Sequence, residues 1–139
     1  MTVKLYTATS NISSQKAIGW LKKYGIPYEE KNLSIAPIKI EEIQDILFLT
    51  TEGTTEIISK KSQAIKKLKA EIDINTLSLP QFYEVIIGNP EILHLPIIHD
   101  GKKLQVGYNE EEIRKFIPRR FRLDEFRKIM SSSSKEKLF

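Results

Sequence analysis

The chain has 139 residues, 40% of them apolar and 29% charged, with a formal net charge of +4 and no cysteine. That length suits one compact domain with a true core, and the absence of cysteine excludes disulfides, thiolate metal sites and thiol sensing. No apolar run approaches the roughly 20 residues of a bilayer span, and the N-terminus lacks the apolar core of a signal peptide, so a cytoplasmic location is the default expectation.

The chain opens with a short strand, Val3 to Tyr6, followed by a polar loop. Ala17, Trp20, Leu21 and Tyr24 then fall at i, i+3, i+4 and i+7, which predicts a helix with one buried stripe. Ser13 or Ser14 is placed to cap it, and Gly25 to end it in a left-handed conformation. Gly19 costs about 1 kcal/mol inside a helix, which suggests close packing against a neighbour. Tyr28 to Leu33 reads as a second strand, and Ile40 to Leu49 as a helix with Ile43, Ile46 and Leu47 inward and Glu41, Glu42 and Asp45 outward.

Thr50 to Thr55 is a hydroxyl-rich turn around Gly53, and Gln63 to Lys69 reads as a lysine-rich helix. Leu79-Pro80 starts another helix that Gly88-Asn89-Pro90 stops. Pro96 to Ile98 and Lys103 to Val106 read as a hairpin across Asp100-Gly101, and Asn109 caps a helix reaching Ile117, with Glu110, Glu111 and Glu112 at its positive end. Strands therefore sit at both ends of the chain, and one sheet has to be assembled from distant segments. From Pro118 onward basic residues outnumber acidic ones. That pattern is read either as a solvated helix face or as contact with an anionic partner.

Four segments are specific enough to carry a resemblance: LYT at Leu5 to Thr7, KNL at Lys31 to Leu33, EGTTEIIS at Glu52 to Ser59, and KLQVGYNEEEIRKFIPRR at Lys103 to Arg120. With them, roughly Val3 to Arg120 resembles the Spx group of the ArsC (arsenate reductase-like) family. The resemblance implies an α/β, thioredoxin-like fold whose mixed sheet is built from N- and C-terminal segments, with a helical insertion at about 36–90. It places the folded domain at 1–118 and a basic C-terminal helix and flexible tail at 119–139. Members of the group regulate transcription in Gram-positive bacteria by binding the C-terminal domain of the RNA polymerase α subunit.

Two departures bear on chemistry. The family's redox pair is a CxxC whose positions hold Asn11 and Ser14 here, and Leu95 replaces the arginine that usually precedes Pro96. Thiol reduction needs a thiolate, which a helix N-terminus brings within reach of neutrality. A serine hydroxyl is too weak an acid for the same help and requires a general base. His94 is the one candidate base near the loop, and a Ser14–His94 pair is weighed against a surface or packing histidine. Glu41 and Glu42 are adjacent on a helix and diverge, so they cannot act as facing carboxylates. No catalytic residue, metal site or cofactor is expected. An ArsC-type reductase relative with residual or altered activity is the alternative reading.

Function is therefore expected in a surface. The resemblance marks Gly53 as a polymerase-binding position, where a missing side chain permits close backbone approach; a turn requiring positive φ is the competing role, and both can hold. Asn11 and Ile12 adjoin this surface in the family's fold, with Ile12 either a contact or a hydrophobic staple. Glu42, Asp45 and Glu52, with Glu41, can complement a basic partner or merely solvate their helix. Lys60 and Lys61 stand where relatives carry basic residues implicated in promoter contact, so promoter DNA is expected only within the polymerase complex and through phosphates. The end of the chain is a candidate degradation signal for the ClpXP protease or its adaptor. No membrane association is expected.

Overall fold

The computed structural model describes residues 2–59, 66–67 and 73–117. In chain order these form strand β1 (Val3–Thr7), helix α1 (Ile12–Lys23), strand β2 (Tyr28–Asn32), helix α2 (Ile40–Phe48), helix α3 (Leu79–Gly88) and strands β3 (Ile97–His99) and β4 (Leu104–Val106). Short 3₁₀ turns lie at Gly53–Glu56, Ile74–Thr76, Pro90–Ile92 and Glu112–Phe116. The sheet order is β2-β1-β3-β4, with β1 parallel to β2 and antiparallel to β3. The parallel step requires a crossover, which α1 supplies. N- and C-terminal strands thus make one mixed sheet with helices inserted between them, as expected.

Side-chain alternation divides the core between the two faces of the sheet. Leu5 lies opposite Ile98, and both pack with Ala17, Trp20 and Leu21 of α1 and with Ile113 and Phe116. Tyr6 lies opposite Ile97, and both face the other way, into Ile43 and Ile46 of α2 and Phe82 and Ile86 of α3. Each aliphatic side chain buried in full contributes about 1.5–3 kcal/mol of transfer free energy. The outer strand β2 carries exposed Glu29 and Glu30, charges that discourage edge pairing with another chain.

Most local signals hold, and three change. The buried stripe of α1 is as read, and Gly25 (φ +62°) ends the helix. Its N–H bonds to the Lys22 carbonyl while the Ile26 N–H bonds to that of Leu21, the paired closure of a Schellman motif. The N-cap, however, is Asn11, not a serine. Gly19 is exposed, and an added Cβ would meet nothing within 4 Å, so no close packing explains it. Asn109 Oδ1 does accept from the N–H groups of Glu111 and Glu112, but the helix it caps is a 3₁₀ turn. Of the lysine-rich stretch, Lys66 and Lys67 are described, both exposed.

Candidate docking surface

The β1–α1 loop is closed by its own side chains. Asn11 Oδ1 accepts from the Ser14 N–H at 2.6 Å and from the Ser14 hydroxyl at 2.8 Å, and Ser14 Oγ accepts from the Ala8 N–H at 3.4 Å. The two positions where the family carries thiols are therefore bonded to each other at the start of α1. Ser14 is buried and its proton is committed to Asn11, so the hydroxyl is neither free nor near a base. His94 is exposed, and its ring lies across Gly107, where an added Cβ would sit 2.8 Å from Nε2. Among the described residues no hydrogen bond joins His94 to Ser14, and the weighed catalytic pair does not form.

The hydroxyl of Thr7 donates to Glu30 Oε2 at 2.7 Å, and Ser34 Oγ accepts from the Thr9 N–H at 3.1 Å. These bonds pin the loop to β2 and the turn that follows it. Ile12 stands on the rim, 70% exposed. It is the first residue of α1, not the residue before the cap, so it cannot act as the staple.

Gly53 adopts φ +84°, a region that side-chain-bearing residues rarely occupy. The Thr50 hydroxyl accepts from its N–H at 3.1 Å and donates to the Leu47 carbonyl. Glu56 Oε2 accepts from the N–H groups of Thr51 and Glu52, closing the turn. The conformational role of Gly53 is thus real, and the space around it is open, with no atom within 4 Å of an added Cβ. Among the described residues no hydrogen bond links this turn to the Asn11 loop. Glu56 was missed in the sequence, although a glutamate three residues past a glycine turn is a recognisable closing signal.

The acidic strip is shorter than expected. Glu41, Asp45 and Glu52 are exposed, but Glu42 is turned inward. Its Oε1 pairs with Lys31 Nζ at 2.5 Å and accepts from the Lys39 N–H at 2.8 Å, joining β2 to the start of α2. Burial raises the Glu42 carboxyl, yet the Lys31 and Lys39 hydrogen bonds and the Lys31 charge outweigh it and hold its pKa below the ordinary value. Burial and the Glu42 charge in turn push the Tyr6 hydroxyl well above the usual tyrosine range. Glu42 is a structural tie, and the outward placement read from helical spacing does not hold. The reason is that Lys31 lies on a neighbouring strand, which spacing within one helix cannot show.

Lys60 and Lys61 lie outside the described residues, as does the chain from Pro118 onward. No group of three or more metal-ligating side chains occurs among the described residues, and no described helix is long and apolar enough to cross a membrane.

A mixed β2-β1-β3-β4 sheet with α1 on one face and α2 and α3 on the other defines a thioredoxin-like α/β protein. The profile of the ArsC family matches residues 6–116, and the chain belongs to that family. It is 48% identical over 125 residues to the global transcriptional regulator Spx of Listeria innocua, covering 90% of this chain and 94% of that one. The Spx proteins of Lactiplantibacillus plantarum and Staphylococcus aureus are 49% and 48% identical, over 86% of this chain and 89% and 90% of theirs. Among solved structures, arsenate reductase from Vibrio cholerae superposes with a TM-score of 0.63 at 16% identity, over 84% of this chain and 96% of that one. An arsenate reductase related protein from Brucella melitensis gives 0.59 at 18%, over 83% and 93%. These two likenesses concern the fold alone.

Proposed function

We propose that this chain is a non-enzymatic transcriptional regulator that docks on the C-terminal domain of the RNA polymerase α subunit, with no thiol switch. The observation that carries the reading is a pairing. The sequence follows proteins named as global transcriptional regulators over nine-tenths of its length, while the family's redox positions are filled by Asn11 and Ser14, bonded to each other. A reductase needs a thiolate to attack its substrate, and this chain has none.

In this reading Ile12 and the Gly53 backbone are the contacts, with Asn11 fixing the loop beneath Ile12. Asp45 and Glu52 attract a basic partner, and Glu42 acts only by holding α2 to β2. Promoter DNA is met inside the polymerase complex, with Lys60 and Lys61 on phosphates. The folded domain spans 1–118, and 119–139 is a basic extension presented to ClpXP or its adaptor in the cytoplasm.

The test is a pull-down with the purified α C-terminal domain. Gly53→Arg is expected to abolish capture, but positive φ makes it a strained variant. Ile12→Arg, at an exposed position, therefore accompanies it and is expected to weaken capture at least about tenfold, a change of about 1.4 kcal/mol. Undiminished capture by a folded Ile12→Arg protein would remove Ile12 and the loop from the surface. Failure of the unaltered chain to bind would end the polymerase reading.

A further inference from the structure

At the opposite end of β1 from the Asn11 loop lies a cleft of about 320 Å³ between the start of the sheet and the C-terminal end of α2. It is lined by Lys4, Asp45, Phe48, Leu49, His99 and Asp100, among others. Phe48 is 87% exposed, although it ends a helix whose other large apolar side chains face the core or its margin. His99 is only 4% exposed, and its ring stacks on Tyr6 with centroids 6.0 Å apart. The Gly101 N–H donates to His99 Nδ1 at 3.2 Å, so the neutral ring carries its proton on Nε2. That Nε2 is buried and has no partner, an unmet donor of the kind that native interiors rarely leave.

The lining holds both signs of charge. Lys4 supplies an ammonium, while Asp45 and Asp100 supply carboxylates. Asp100 Oδ1 already accepts from the N–H groups of Lys102 and Lys103, which leaves Asp45 as the carboxylate better placed for a new cation. The volume stands at the lower end of the range of about 300–1,000 Å³ for small-molecule sites, too small for a nucleotide. A zwitterion with an apolar body matches this lining better than a simple anion or cation does.

We propose that the cleft binds a free α-amino acid with an apolar side chain. Its carboxylate meets the Lys4 ammonium and the His99 Nε2–H, its ammonium meets Asp45, and its side chain lies against Phe48 and Leu49. This site is independent of the polymerase reading, since it is filled or empty in the isolated chain.

The experiment is an NMR titration of the full chain with L-phenylalanine, L-leucine and L-methionine, each to about 50 mM. Saturable shifts of the Phe48 and His99 ring signals are expected for at least one, with a dissociation constant at or below about 1 mM. Asp45→Asn is expected to weaken binding at least about tenfold with the fold intact. N-acetylation or amidation of the amino acid that binds removes one of its charges and should do the same. Absence of saturation with all three amino acids overturns the proposal. So does an N-acetyl derivative that binds as well as its parent, which would point to a peptide end or a simple carboxylate. Because the readout is ligand binding and not capture of the α domain, the two readings fail separately.

Discussion

The two ends of β1 are finished in opposite ways. Beyond Thr7, the loop and the first turn of α1 bond to one another and to the Asn32–Ser34 turn, with Asn11 and Ser14 at the centre. Before Lys4, the sheet meets α2 across a cleft that leaves a buried N–H without a partner and a phenyl ring in water. In this family the first of these ends is where the resemblance places thiol chemistry, and here it is the quieter of the two. Satisfied polar groups hold a contour still, which suits a docking surface, whereas unmet ones invite a ligand.

The contrast can be broken most forcefully at Asn11. Asn11→Ala removes the cap of α1 and the acceptor of the Ser14 hydroxyl, and is expected to lower stability by about 1–2 kcal/mol in urea unfolding. A loss near zero would mean that the closed network contributes nothing to holding the loop.

A smaller effect separates the ends by pH. Burial foremost, and then the Lys4 charge, lower the His99 pKa from the ordinary 6.5, against the opposing pull of Asp45 and Asp100. The unfolded chain therefore takes up a proton that the folded chain refuses. Stability is unaffected by this group above the ordinary value and falls as pH drops below it, levelling out once the folded-state pKa is passed. Urea midpoints between about pH 7.5 and 5.5 are expected to decline no more steeply than about 1.4 kcal/mol per pH unit. Glu42 and Asp100, also lowered, begin to cost stability only below their ordinary 4.5 and 3.8. His99→Gln should flatten the decline, and an unchanged slope would place its origin elsewhere.

The smallest effect is expected at Phe48. Its exposure leaves little burial to lose, so Phe48→Ser should shift stability by no more than about 0.5 kcal/mol. A larger loss would show that the ring packs and that the cleft is less open than its lining implies.

Local patterns in the chain were enough for much of this. The stripe Ala17, Trp20, Leu21, Tyr24 placed α1 and its buried face, the glycine at 25 ended it, and Leu79-Pro80 began α3 where it does begin. The family resemblance was legible from motifs with the right spacing, as was the loss of sulfur at Asn11 and Ser14. Glu42 and Gly19 were misread because helical spacing describes a helix alone. It cannot say that Lys31 stands across from Glu42, or that nothing packs beside Gly19.

The amino-acid order by itself determined the elements, the family, and the exclusion of thiol chemistry, because periodicity, capping residues and the absence of an atom type are local or countable properties. Only the tertiary structure decided which side chains answer one another. Asn11 became the cap in place of a serine, Glu42 was taken by Lys31, and His99 was buried beside Tyr6 with one N–H unmet. Those outcomes depend on distances between segments far apart in the chain, and only the closed sheet, with helices on both faces, sets such distances.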